Sequence, residues 1–347
     1  MGKLKKNKLY ELIHEYFTFY LPAMRKISPN TIRSYQKGIE LLLDFVAKEK
    51  DIKLSEITFD HINSNIITAF LKYIEEERDC DTSTRNHRLL CIRSFYKYAA
   101  ETDAFVVPHW NEIQKVKLAK VAKEPVGYMS ETAIQIIISQ PDITKEKGLR
   151  DMFLMLFLYH TGARVQELLN VRLCDISYGK APTVMLCGKG KKMRSVPMRD
   201  KLVVHLKKYI TAYHPFEDKH SETPLFFTKH GGKKRMTEDN VRRLVRQYGE
   251  MAAKISHEVP DRVHPHLFRH SRAMHLYQHG VHLTLVSQWL GHSKLETTLI
   301  YAYADTEQKR QAIEKAIPIE SSLVQHLNAS RYQVTDDETF KRLCGLK

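Results

Sequence analysis

The sequence predicts a mainly α-helical protein with a small β-sheet, divided into an N-terminal helical domain and a larger second domain. Three observations carry this expectation. Apolar residues recur at helical spacing through much of the chain. One short run, around residues 183–198, alternates with the period of a strand instead, and a basic stretch over 108–128 has little period of either kind. A chain of 347 residues is long enough for two domains.

The first domain is expected over residues 1–107. Ser28-Pro29-Asn30-Thr31 reads as a helix start, with a hydroxyl to cap free N–H groups and a proline in the first turn, where its missing N–H is not needed. Ile32, Tyr35, Ile39, Leu42 and Val46 follow at helical spacing, with Arg33 and Lys37 on the opposite face. A second helix starts near Thr82. Leu89, Ile92, Phe95 or Tyr96, and Ala99 form its apolar stripe, and Arg85, Arg88 and Lys97 lie mostly off it. Basic faces of this kind suit phosphate contacts and equally suit plain solvation. The stretch from Pro108 to Tyr128 contains Lys115, Lys117, Lys120 and Lys123, then Pro125 and Gly127, and reads as a basic linker.

Met129-Ser130-Glu131 opens the second domain, expected to run to about residue 316. Within it, the β-prone run 183–187, the turn Gly188-Lys189-Gly190-Lys191-Lys192 and the alternating run 193–198 make a hairpin pattern. Helices resume near Asp200, Thr237, Arg269 and Leu283. A tail over 317–347 follows, with short helical stretches and a candidate apolar face of Ile319, Leu323, Val324 and Leu327.

Composition excludes several classes. No apolar run is long enough for a membrane-spanning helix, and the N-terminus MGKLKKNKLYELIHEYF has neither the apolar core nor the cleavage site of a signal peptide. The five cysteines are odd in number, scattered and free of any CxxC pair, which argues against a disulfide framework or a cysteine zinc site and for a reducing interior. The net charge of +15 favours a polyanionic partner, most often nucleic acid. Residues 1–120 carry 20 Lys and Arg against 16 Asp and Glu, and residues 317–347 four of each, so the segment 121–316 holds +11 of the excess. The charge therefore sits in the second domain and not in a tail.

Several motifs fail. His14-Glu15 begins like the HExxH metalloprotease helix, but Thr18 stands where the second histidine is needed. The Gly188–Lys192 turn lacks the Gly-Lys-Ser/Thr that closes a phosphate-binding loop. His275, His279 and His282 have no acidic or cysteine co-ligands at useful spacing.

Four separated segments make a pattern that holds together. In Thr161-Gly162-Ala163-Arg164-Val165-Gln166-Glu167, Gly162 allows a tight entry into a helix, with Arg164 near its start and Glu167 one turn later. Gly188-Lys189-Gly190 occupies the hairpin tip. In Pro265-His266-Leu267-Phe268-Arg269-His270, His266 and Arg269 share a helix face. Leu290-Gly291-His292 is followed nine residues later by Tyr301. Each piece is weak alone; together, in this order and spacing, they resemble the tyrosine recombinases, the phage and transposon integrases and the Xer-type enzymes. The likeness covers most of the chain and is strongest from Gly162 to Tyr301.

The resemblance implies an N-terminal core-type DNA-binding domain and a catalytic domain that close on DNA as a C-shaped clamp. It implies site-specific recombination through a covalent 3′-phosphotyrosine, with no cofactor, metal or ATP. The implied catalytic residues are Arg164, Lys189, His266, Arg269, His292 and the nucleophile Tyr301, supported by Glu167. Two guanidiniums stay charged at any working pH and suit the oxygens of a phosphorane-like state. His292 adds a donor, Lys189 is the general acid for the 5′ oxygen, and His266 deprotonates Tyr301 or orients the phosphate. Tyr303 is the rival nucleophile, His270 the rival of His266, and Lys191 and Lys192 the rivals of Lys189. Expected DNA contacts are Arg33, Lys37, Arg85, Arg88, Lys115, Lys117 and Lys120. The expected partner is double-stranded DNA with inverted-repeat core sites, bound by a homodimer and synapsed in a homotetramer through a trans-docking C-terminal helix. A mobile-element origin and a cytoplasmic, nucleoid-associated bacterial location are also expected. Two alternatives use part of the same inventory: a topoisomerase-like enzyme and a DNA-binding protein without catalysis.

Overall fold

The computed structural model describes residues 7–121, 126–188, 190, 192–228 and 232–304, together with four isolated positions, 338, 341, 342 and 345. It forms two compact units, Met1–Lys123 and Glu124–Lys347. The C-terminal face of Ile319, Leu323, Val324 and Leu327 lies outside the described residues. No described helix is long and apolar enough to cross a membrane.

The first unit is helical throughout. Its helices are α1 (Lys8–Glu15), α2 (Pro29–Lys50), α3 (Ser64–Glu76), α4 (Thr82–Thr102) and α5 (Val107–Lys115), with a π-helical segment over Tyr16–Met24 that accommodates Pro22. The starts follow from local chemistry. Asn7, Ser28, Asn63 and Asp81 each accept a hydrogen bond from a backbone N–H in the first turn of the helix that follows. Helices α2, α3 and α5 pack on α4. The core between them includes Leu42, Val46, Ile67, Phe70, Leu89, Ile92 and Phe95, each at most 1% exposed. Full burial of one such side chain stabilises by about 1.5–3 kcal/mol.

The linker expected from Pro108 begins instead as α5, because a proline in the first turn starts a helix as readily as it breaks one. The chain beyond α5 is also pinned. Arg93 Nη2 donates to the carbonyls of Gln114 and Val116, Arg85 Nη1 to that of Lys117 at 3.2 Å, and Asn86 both donates to and accepts from Ala119.

The second unit contains α6 (Glu131–Ser139), α7 (Glu146–Thr161), α8 (Val165–Asn170), α9 (Asp200–Tyr213), α10 (Glu238–Ala253), α11 (Pro265–Gln278), α12 (Leu283–Leu290) and α13 (Glu296–Ala304). The expected hairpin is present as β2 (Thr183–Cys187) paired antiparallel with β3 (Met193–Pro197), with Val184 opposite Val196 and Leu186 opposite Arg194. A two-residue strand β1 (Ile176–Ser177) adds to the outer edge of β2, and β4 (Phe227–Thr228) pairs with β5 (Lys234–Arg235). These short strands were not anticipated, since two residues display no period. The helix expected near Arg269 starts four residues earlier, at Pro265, where His264 Nδ1 caps the N–H of Leu267.

The main core gathers Phe153, Phe157, Leu168, Leu186, Val196, Tyr209, Phe226 and Phe268 around α7. A smaller cluster, Ala273, Met274, Val286, Leu290 and Tyr301, joins α11, α12 and α13. The functional residues collect where α8, β3, α11, α12 and α13 come together.

Candidate active site

Glu167 is the centre of the arrangement. Gly162 ends α7 in the left-handed conformation at φ 61°, and Arg164 then caps α8. This sharp reversal turns Glu167 inward, where it is 2% exposed. Its carboxylate accepts from the Arg164 backbone N–H at 2.9 Å, from Arg164 Nη1 at 2.8 Å and from Arg194 Nη2 at 2.7 Å. Burial pushes its pKa up, and these hydrogen bonds more than reverse that, leaving the carboxyl below its ordinary range. The Arg164–Glu167 pair is therefore no ordinary surface ion pair. The side chain of Arg164 remains 38% exposed, so its guanidinium can meet a ligand while one edge is held.

Arg269 is 1% exposed. Its Nη1 donates to the carbonyl of Gly162 and its Nη2 to that of Leu290, both at 2.6 Å. The guanidinium thus joins the Thr161–Arg164 segment to the Leu290–His292 segment, with Nη1 also 3.9 Å from the Glu167 carboxylate. Burial, and then Arg164, pulls its pKa down to about 9, against the pull of Glu167. It remains a cation at neutral pH.

His292 follows the left-handed cap Gly291 of α12, and its Nδ1 lies 2.8 Å from the Thr298 hydroxyl, which is fully buried. Burial, followed by the charges of Arg269 and Arg164, lowers its pKa to about 4. Tyr301 lies on α13 and is 1% exposed, with its hydroxyl 2.9 Å from His270 Nδ1. Burial raises the phenol to about 12, opposed by Arg269 and Arg164. The pKa of His270 falls to about 4 through burial, then His266 and Arg269. His266 lies one turn earlier on the exposed side of α11, with its ring edge-on to His270 at 4.6 Å. Burial of its inner part, then Arg269 and Arg164, also pull His266 below its ordinary range.

Six of the expected residues, Arg164, Glu167, His266, Arg269, His292 and Tyr301, therefore belong to one cluster. Lys189 and Lys191 lie outside the described residues. Lys192 is described and lines, with Arg164, Arg194 and His292, a cleft of about 940 Å³. The side chain of Tyr303 is outside the description. The contact to the Tyr301 hydroxyl comes from His270, the rival, and not from His266. Sequence reasoning missed Arg194. The signal was there: alternation in β3 puts Arg194 on the same face as the buried Val196, and an inward arginine needs a partner. Thr298 was also missed as the partner of His292.

The expected DNA-contacting residues divide into two groups. Arg33, Lys37, Lys115, Lys117 and Lys120 are exposed, with Lys37 paired to Glu40 and Lys115 to Glu112. Arg85 is largely enclosed, paired with Glu75 and donating to Asn86 and to the Lys117 carbonyl. Arg88 donates to the Ser34 carbonyl at 3.2 Å. Of the three histidines set aside as metal ligands, His275 meets the Tyr159 hydroxyl at 2.8 Å, His279 the His275 carbonyl and His282 the Thr284 hydroxyl.

Known proteins carry the same organisation. Residues 128–308 match the phage integrase family, and residues 14–102 match the N-terminal SAM-like domain of phage integrases. A tyrosine recombinase of Pseudothermotoga lettingae is 30% identical over 88% of this chain and 99% of its own length. The tyrosine recombinase XerC of Oceanobacillus iheyensis is 29% identical over 89% of this chain and 96% of its own. Among solved structures, the XerH site-specific recombinase bound to its difH substrate superposes with a TM-score of 0.64 at 19% identity, covering 90% of this chain and 89% of that one. The family match spans more than half of the sequence and coincides with the unit that holds the arginines, the histidines and the buried tyrosine. The chain belongs to the phage integrase family and is a tyrosine-type site-specific DNA recombinase.

Proposed function

We propose that Tyr301 is the nucleophile and that the cluster around it divides the work of phosphoryl transfer as follows. Arg164 and Arg269 hold the non-bridging oxygens of one backbone phosphate, and Glu167 keeps Arg164 in place. His292, steered by Thr298, adds a donor to the developing charge. The Tyr301 oxygen attacks phosphorus, a Tyr–O–P bond forms and the bond from phosphorus to the 5′ oxygen breaks. The phenolic proton passes to His270, and His266 orients the phosphate. Lys189 supplies the proton that the departing 5′ oxygen takes up. The bond energy is retained in the 3′-phosphotyrosine, so a 5′-hydroxyl of another strand reverses the step without ATP or a metal.

The observation that carries this reading is the 2.9 Å approach of the Tyr301 hydroxyl to His270 Nδ1, within the electrostatic reach of both arginines. An unprotonated Nδ1 is the acceptor a phenol needs, and a histidine depressed to about 4 is unprotonated at neutral pH.

The substrate is double-stranded DNA with inverted-repeat core sites, of mobile-element origin. One homodimer occupies a site, and two dimers form the recombining tetramer, held by exchange of the C-terminal tail. The exposed Arg33, Lys37, Lys115, Lys117 and Lys120 meet phosphates. The setting is the bacterial nucleoid.

The test is a nicked suicide duplex incubated with the protein and resolved on a denaturing gel. The covalent protein–DNA band is expected to disappear in Tyr301→Phe and to persist in Tyr303→Phe. Loss of the band in Tyr303→Phe alone would refute the assignment of Tyr301.

A further inference from the structure

Arg194 belongs to none of the four motif segments, yet its side chain is committed to them. It is 11% exposed and stands on β3. Its Nη2 donates to Glu167 at 2.7 Å, and its Nε donates to the Trp289 carbonyl at 2.9 Å. Its guanidinium also lies against Gly291, where an added Cβ would come within 2.9 Å of Nη1. Gly291 adopts φ 66°, so glycine is suited there both by backbone conformation and by the arginine.

These contacts place one planar fork between the carboxylate that holds Arg164 and the last turn of α12. The same turn carries His292, whose backbone N–H donates to the Ser287 carbonyl at 3.0 Å. The ring of Trp289 is engaged by a second arginine outside the motifs: Arg272 lies 5.6 Å from its centroid and 5.5 Å from that of Tyr159. The Thr298 hydroxyl fixes the rotation of the His292 ring, but the height of that ring above the arginines depends on where α12 ends.

We propose that Arg194 is a positioning residue for His292, a strut that sets the distance between the α12 terminus and the Glu167–Arg164 pair. The proposal rests on the reading of His292 as a donor to the reacting phosphate. A lysine at 194 would keep the charge but lose the fork, and one ammonium cannot reach the Glu167 carboxylate and the Trp289 carbonyl in the same geometry.

The test is a double-mutant cycle on single-turnover cleavage of the nicked duplex, using Arg194→Lys and His292→Gln, with DNA affinity measured in parallel. With His292 present, Arg194→Lys is expected to slow cleavage by about tenfold or more while changing affinity by less than about twofold. In the His292→Gln background the same change is expected to alter the rate by less than about twofold. Equal slowing in both backgrounds would overturn the proposal, as would an unaffected rate in Arg194→Lys. If His292→Gln alone cleaves at the normal rate, the donor reading of His292 fails first and the proposal falls with it. Arg194→Gln, a neutral planar group, serves as the second variant if the lysine variant does not fold, with the same expectations.

Discussion

The phenol of Tyr301 and the imidazole of His270 have been moved in opposite directions by the same cause. Burial raises one to about 12 and lowers the other to about 4, and both charged forms are disfavoured until the proton moves between them. The pair therefore rests as neutral phenol and neutral imidazole, and a reaction at neutral pH needs the imidazole. Replacing His270 with Asn keeps a polar group but removes the basic nitrogen. The variant should cleave suicide DNA about 10²–10⁴-fold more slowly near pH 7. Its rate should then climb about tenfold per pH unit, because only the small phenolate fraction reacts. The unmodified protein should show a nearly flat profile over pH 6–8, since its base is already unprotonated there. Parallel profiles for the two proteins would mean that His270 does not take the proton.

At the scale of the elements, α4 acts as a spine whose arginines hold neighbouring chain. Arg93 has two main-chain carbonyls as acceptors, and removing it strands both. Arg93→Ala is expected to destabilise the first unit by about 1–3 kcal/mol in urea unfolding, with little change in how DNA affinity depends on salt. Lys117→Ala should do the reverse: stability unchanged, and the slope of log affinity against log salt reduced by about one. A changed salt slope in Arg93→Ala would assign that arginine to DNA. The contrast explains what could be read from the sequence. The starts at Ser28, Thr82 and Ser130 were legible because a cap and a period are local. The order of Arg164, Arg269, His292 and Tyr301 was legible because the motifs carry it. The partners were not legible, because they are non-local. Arg85 meets a carbonyl 32 residues away, Arg194 a carbonyl 95 residues away, and Arg269 one 107 residues away. No spacing rule reaches that far. The contact of the Tyr301 hydroxyl with His270 was not legible for a related reason, since a shared helix face does not say which ring the tyrosine helix will meet.

At the scale of the whole molecule, the second unit buries histidines in a strongly basic surrounding, and this has a cost in acid. His160, His270 and His292 each fall to about 4, led in every case by burial and deepened by neighbouring positive groups. In the unfolded chain the same rings titrate near 6.5. Between these values the unfolded state binds more protons than the folded one, so the stability of this unit declines as pH falls from about 6.5 towards 4. Glu167, held below its ordinary carboxyl range, adds to the loss only at the lower end of that window, because its unfolded counterpart is still ionised above it. The interval from pH 6.5 to 5 therefore reports the histidines. The chain has two tryptophans, Trp110 and Trp289, one in each unit, so Trp110→Phe leaves Trp289 as the reporter of the second. The urea midpoint followed by Trp289 fluorescence is expected to fall steadily over this interval. Adding His160→Phe, which lies outside the proposed catalytic set, should make that fall shallower, since one of the several imidazoles held below their ordinary range in this unit is removed. A midpoint that stays constant from pH 6.5 to 5 would mean that these imidazoles are not kept neutral by the fold. The low proton affinity proposed for His270 as the acceptor from Tyr301 would then lose its physical basis.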